Sequence, residues 1–165
     1  MSKYWYDENQ KFGSLPPEVL LTHSGLDLCH KMLAGELPAP SMGKALNFRM
    51  FEAEEGRVVF KGEPLDEHFN PSGVVHGGWA ATILDSALGC CVWTKVPIGF
   101  AYTTAEFKVN LIRPLTDKTG EVIADAKVVH MGRKIAVSEA TLKTPEGKLI
   151  ALGTETCAIY NPLER

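Results

Sequence analysis

Asn70-Pro71-Ser72-Gly73-Val74-Val75-His76-Gly77-Gly78-Trp79 leads into an apolar run that extends to Thr94 and carries Asp85. From Gly78 to Thr94 the apolar residues Trp79, Ala80, Ile83, Leu84, Ala87, Leu88, Cys91 and Val92 fall nearly all round a helical wheel. That pattern predicts a helix buried over most of its surface. The stretch before it, Asp66 to Val75, contains Pro71 and Gly73 and reads as a loop. A helix this apolar must pack against a sheet, and the flanking sequence supplies the strands.

On the N-terminal side, Leu46, Phe48, Met50 and Glu52 alternate from about Ala45 onward. They precede a turn at Glu54-Glu55-Gly56 and a second run, Arg57 to Gly62, which together predict a β-hairpin. Beyond Pro97 come four strand-like runs, Phe100 to Ile112, Gly120 to His130, Lys134 to Thr144 and Lys148 to Tyr160. Turn residues at Arg113-Pro114, Met131-Gly132 and Pro145-Glu146-Gly147 predict successive antiparallel pairing. Ser14 to Leu33 reads as one helix or two short ones, with Ser14 as cap, Pro16 and Pro17 in the first turn and an interruption at Gly25. Gly35 to Pro40, with two prolines, is a connector. The reading is an α+β protein with a helical extension over residues 1–40 packed on a main domain at 41–165.

A chain of 165 residues that is 45% hydrophobic buries one sizeable core. A net charge of -3 lacks the basic excess that would hold nucleic acid or an anionic membrane. The four cysteines, Cys29, Cys90, Cys91 and Cys157, form no CxxC pair and no Cys/His zinc spacing, so reduced thiols and no metal are expected. With no apolar signal core at the start and no run of eighteen apolar residues, the expected setting is soluble and cytoplasmic.

The candidate chemistry clusters around the opening stretch. Gly77 and Gly78, where a loop enters a helix, can leave backbone N–H groups open to a developing negative charge, or can simply permit close helix–sheet packing. Asp85 stands inside an apolar helix, where a carboxylate is expensive without a partner. It either attacks a carbonyl or takes a proton from water, or it accepts hydrogen bonds from Ser86, Thr82 or backbone. His76 suits a structural role before the helix more than that of a base. Asn70 can hold a water or a carbonyl, or act as a turn residue before Pro71. At 1.5 Å per residue, Gly77 and Asp85 lie roughly 12 Å apart along the axis. One small carbonyl cannot touch both from one chain, so a site shared between two subunits is expected.

At these residues the sequence resembles the PaaI-like hotdog-fold thioesterases, over roughly Gly25 to Tyr160. The resemblance rests on Asn70-Pro71-x-Gly73-x-x-His76-Gly77-Gly78, Leu84-Asp85-Ser86-Ala87-Leu88-Gly89, Tyr102-Thr103-Thr104-x-x-x-Lys108-Val109-Asn110-x-x-Arg113-Pro114, and Gly132-Arg133. It implies a curved antiparallel sheet wrapped around a central helix, assembled as a homodimer or a dimer of dimers. It further implies hydrolysis of an acyl-CoA with no cofactor beyond the substrate's own CoA. Gly77 N–H, aided by Asn70, would polarise the thioester carbonyl, and Asp85 of the opposing subunit would be base or nucleophile. His76 would support the loop. Thr103 matches the position of a hydroxyl near the attacking water, with Thr104 a near competitor. The acyl group would enter an apolar pocket at the dimer interface near Trp79 and Leu84, with residues before Pro38 as cover; Gly78 and Thr104 would also contact the substrate, and Arg133 with Lys134 would meet the CoA phosphates.

Two rivals bear on the same sequence. A hotdog hydratase or dehydratase would use an Asp and a His close together, for which Asp125-x4-His130 has a tempting spacing. A non-catalytic acyl-CoA-binding module would have no use for Asn70, Asp85 and Thr103 together.

Overall fold

The computed structural model describes residues 5, 6 and 9–163. Two short helices come first, α1 (Pro17–Thr22) and α2 (Gly25–Leu33). Ser14, expected to cap, does not: α1 begins at Pro17 behind Pro16, with no side-chain cap, because proline already holds the backbone angle of a first turn. The cap belongs to α2, where Ser24 Oγ accepts from Asp27 N at 3.2 Å. Gly25 is needed at the start of α2 because the Trp93 carbonyl occupies the space of a β-carbon.

The first strand starts later than the alternation suggested. Ser41–Leu46 is helix α3, closed by Asn47 in the left-handed conformation at φ 53°, and β1 runs Phe48–Glu54. Asparagine tolerates that conformation. Its buried side chain holds the corner in place, with Nδ2 donating to Glu63 O at 2.8 Å and Oδ1 accepting from Trp5 N at 2.9 Å. Strand β2 (Arg57–Gly62) completes the hairpin. A single 3-10 turn (Asp66–His68) follows, and then the long helix α4 (Gly77–Trp93).

Strands β3 (Ala101–Leu111), β4 (Val122–Met131), β5 (Ile135–Lys143) and β6 (Leu149–Tyr160) lie within two residues of the expected runs. Their pairing is not simply successive. The antiparallel sheet has the order β1-β2-β4-β5-β6-β3, so β4 joins β2 and β3 crosses to the far edge beside β6. The helix between β2 and β3 separates the two, which leaves β2 free to pair with the first strand able to reach it. Helix α4 lies on the inner face of this sheet, with Ile83, Leu84, Ala87, Leu88, Cys91 and Val92 fully buried. Small inward residues let it approach: Ala124 and Ala126 on β4, Ala136 and Ala140 on β5, and Gly153 on β6, where a β-carbon would lie 3.0 Å from Leu88 Cδ1. The sheet and its central helix form the α+β hotdog architecture. Within the described residues no helix is long and apolar enough to cross a membrane.

Candidate active site

The loop before α4 is held by its own backbone. A bridge joins Phe69 to Val75, and His76 N donates to His68 O at 2.8 Å. Asn70 Oδ1 accepts from Ser72 N at 2.9 Å and from Val74 N at 3.4 Å, so its carbonyl builds the turn. The Asn70 amide NH2 makes no hydrogen bond to a described residue and remains a free donor. His76 is the N-cap residue of α4, with Nδ1 accepting from Gly78 N at 3.3 Å. Capping consumes the Gly78 N–H, whereas the Gly77 N–H has no acceptor among the described residues. A β-carbon on Gly77 would lie 2.7 Å from Leu111 Cδ1, so this glycine satisfies close packing and donor exposure together.

Asp85, two turns further along α4, is half-buried. It opens onto a cavity of about 470 Å³ whose walls include Met32, Met50, Phe60, Ser86, Tyr102 and Thr104. None of the local donors weighed for it bonds to the carboxylate. Thr82 Oγ1 donates to Gly78 O at 2.8 Å, and Asp85 has no hydrogen-bond or ion-pair partner among the described residues. Burial raises its pKa from the ordinary aspartate value, because the cavity wall solvates the charged form poorly.

Thr104 and Thr103 are separated by the pleat of β3. Thr104 pairs with the buried Cys157 and lines the Asp85 cavity, while Thr103 pairs with Ala158 and points to the other face; both are exposed to solvent. Trp79, expected beside the acyl group, is a core residue at 2% exposure, with its indole N–H donating to Leu46 O at 2.7 Å. It does not border the cavity, nor does Leu84, which is fully buried against the sheet. Phe12, Met32 and Leu33, all before Pro38, do line the cavity.

Arg133 and Lys134 lie on the exposed β4–β5 turn, beside a broad depression bounded by Lys95, Pro97, Phe100 and Tyr160 at the far end of α4 from Gly77. The structure therefore brings together Asp85 and Thr104, and separately Asn70, His76, Gly77 and Gly78. It does not bring the two groups together within one chain. Asp125, the alternative base, is held by Arg57, with Nε to Oδ1 and Nη2 to Oδ2 both at 3.0 Å. A bidentate guanidinium occupies the lone pairs that a base would need.

One buried carboxylate escaped the sequence reading. Glu155 is fully buried on β6, and its Oε1 accepts from Thr104 Oγ1 at 2.9 Å and Cys157 Sγ at 3.0 Å. The signal was present: Gly153, Glu155, Cys157 and Ile159 share one face at period two, which puts an acid among inward residues.

This fold has counterparts among known proteins. Residues 72–151 match the thioesterase superfamily model. Human acyl-coenzyme A thioesterase 13 is 30% identical over 130 residues, covering 73% of this chain and 91% of that protein. A candidate esterase of Halobacterium salinarum is 37% identical over 95 residues, 56% of this chain, so the match spans 61% of that relative's length. Among solved structures, a point mutant of the phenylacetic acid degradation protein PaaI of Thermus thermophilus superposes with TM-score 0.65 at 28% identity, over 72% of this chain and 97% of that one. A phenylacetic acid degradation-related protein of Ralstonia eutropha gives TM-score 0.71 at 26% identity, over 79% and 98%. The chain belongs to the thioesterase superfamily, and within it to the PaaI-like hotdog proteins.

Proposed function

We propose that this protein hydrolyses an acyl-CoA thioester to a free carboxylic acid and CoA, at a site shared by two copies of the chain. Family membership supports thioester hydrolysis, and the name of the human relative supports CoA as the carrier. The observation that carries the reading is the Asp85 carboxylate, which has no hydrogen-bond or ion-pair partner among the described residues and faces a cavity that Thr104 also lines. A carboxylate raised above its usual pKa is a stronger base, and the neighbouring hydroxyl can hold a water against it.

Asp85 takes a proton from that water as its oxygen bonds to the thioester carbonyl carbon. The carbonyl oxygen, now an oxyanion, accepts from the Gly77 N–H at a helix N-terminus and from the Asn70 amide of the other copy. Collapse re-forms the carbonyl and breaks the C–S bond, and the proton held by Asp85 passes to the leaving thiolate. Arg133 and Lys134 meet the CoA phosphates, with Arg133 offering a bidentate fork. Strand β3 is a sheet edge eleven residues long, and its unpaired backbone groups suit pairing with a second copy.

The test is to incubate purified protein with a panel of aromatic, medium-chain and long-chain acyl-CoAs and to follow free thiol. Release that exceeds the uncatalysed rate and disappears in Asp85→Asn is expected. Tight CoA binding with no thiol release would identify a binding module and overturn the proposal.

A further inference from the structure

Glu155 is a costly residue for its position. A carboxyl with no solvent exposure is no more stable there than an apolar side chain of similar size, since desolvation offsets what its hydrogen bonds return. Its Oε2 has no hydrogen-bond partner among the described residues, and burial pushes its pKa up, with the Asp85 charge adding to that push. The surroundings nevertheless make room for it. Gly89 lies one helical turn beyond Asp85, on the same face of α4. A β-carbon at Gly89 would stand 3.5 Å from Glu155 Oε1 and 3.2 Å from the Tyr102 hydroxyl. The glycine thus leaves a gap under the helix beside the catalytic wall, and Glu155 fills it.

Its partners indicate what it does there. A threonine hydroxyl has one proton to donate and lone pairs to accept with. Left free in the cavity it shares with Asp85, the Thr104 hydroxyl would offer its proton to the cavity's water and act there as a donor. Its proton is spent on Glu155 Oε1 at 2.9 Å. We propose that Glu155 is a positioning residue: by accepting the Thr104 proton it turns the Thr104 lone pairs toward the cavity, making Thr104 an acceptor for the water that Asp85 deprotonates. This rests on the hydrolase reading above. The role needs only an acceptor at Oε1, which both protonation states of Glu155 provide when any proton sits on Oε2. Cys157 Sγ, donating to the same oxygen at 3.0 Å, helps fix the carboxyl's rotation.

The test is a double-mutant cycle between Glu155→Met and Thr104→Val, with Glu155→Gln as the conservative variant, read as kcat and KM on whichever acyl-CoA the wild type turns over. Glu155→Met should lower kcat by about tenfold, the rate equivalent of one neutral hydrogen bond, with KM little changed. Glu155→Gln should keep most of the activity, because its amide oxygen still accepts. On the Thr104→Val background, Glu155→Met should cost nothing further. Additive losses in the double variant, or wild-type kcat in Glu155→Met, overturn the positioning role. If Glu155→Met does not give folded protein by circular dichroism, Glu155→Ala carries the same expectations. Failure of the hydrolase reading looks different: a wild type that releases no thiol, or an Asp85→Asn variant with full turnover.

Discussion

Thr104 and Asp85 reach one cavity from different elements, an edge strand and the central helix, while the adjacent Thr103 lies on the opposite face of the sheet. The pleat sends neighbouring side chains to opposite sides, so one of two adjacent hydroxyls lines the cavity of the proposed water and the other does not. Thr104→Val is therefore expected to lower kcat by about tenfold, the scale of one lost neutral hydrogen bond, and by much more than Thr103→Val does. Steady-state kinetics of the two variants checks the order, and a larger loss in Thr103→Val would move the water site to the outer face.

Asp85→Asn keeps the shape of the side chain and removes the proposed base. Turnover is expected to fall by roughly 10²–10⁴-fold, the range for losing general acid–base catalysis. Thermal stability should hold or rise, because the substitution removes a half-buried carboxylate that no described residue compensates. A single turnover in H2¹⁸O tests the role of the carboxylate. Label in the Asp85 carboxylate after the first turnover identifies attack by Asp85 itself, with water opening the resulting anhydride at the Asp85 carbon, whereas label in the product acid alone places the attack of water at the acyl carbon.

The raised pKa values of Asp85 and Glu155 give two opposite pH trends. On the proposed mechanism activity needs ionised Asp85, so kcat should climb with pH through a value above the ordinary aspartate pKa and then level off. Stability runs the other way. The unfolded chain ionises these groups first, so their contribution is fully present below the unfolded pKa and is lost as pH rises through the higher folded values. Thermal melts of wild type and of an Asp85→Asn, Glu155→Gln double variant should converge at acid pH, with the double variant pulling ahead as the pH passes that window. Parallel melting curves across the range would contradict the raised values.

The helix and the strands were legible because their signals are local. Apolar residues all round Gly78–Thr94 and alternation in the four later runs fixed those elements to within two residues. The pairing of β3 with β6 was not legible, because it depends on which edge remains free after β2 takes β4. Asn47 hid the end of α3: a residue at positive φ joins helix to strand with no glycine or proline to mark the corner. The site followed the same division. Asp85 stood out as a carboxylate on an apolar helix, while the choice between Thr103 and Thr104 turned on the pleat of β3. That pleat is set by pairing with Cys157 and Ala158, and the ladder is then interrupted by an irregularity between Thr104 and Glu106. Trp79 looked like a pocket wall because it is large and aromatic, yet its N–H is committed to the Leu46 carbonyl of a helix that the sequence did not reveal.

Gly77 offers a way to test the donor and the sharing of the site together. As the first residue of α4 it follows His76 in an extended conformation at φ -60° and ψ 131°, which suits a residue before proline. Proline is at home in a first helical turn and lacks an N–H, so Gly77→Pro removes the proposed oxyanion donor while keeping the helix start. Both Gly77→Ala and Gly77→Pro place a β-carbon against Leu111 Cδ1, an exposed side-chain end that can move aside. The difference between the two variants therefore reports the N–H itself, and Gly77→Pro should lose about 10²–10³-fold in kcat beyond Gly77→Ala. Refolding Gly77→Pro together with Asp85→Asn then separates a shared site from a single-chain one. In a two-fold heterodimer one site keeps Gly77 from one copy and Asp85 from the other, so each heterodimer should recover about half of wild-type turnover. Tagged heterodimers that are isolated intact and remain inactive would place donor and base in the same chain, against the roughly 12 Å that the helix puts between them.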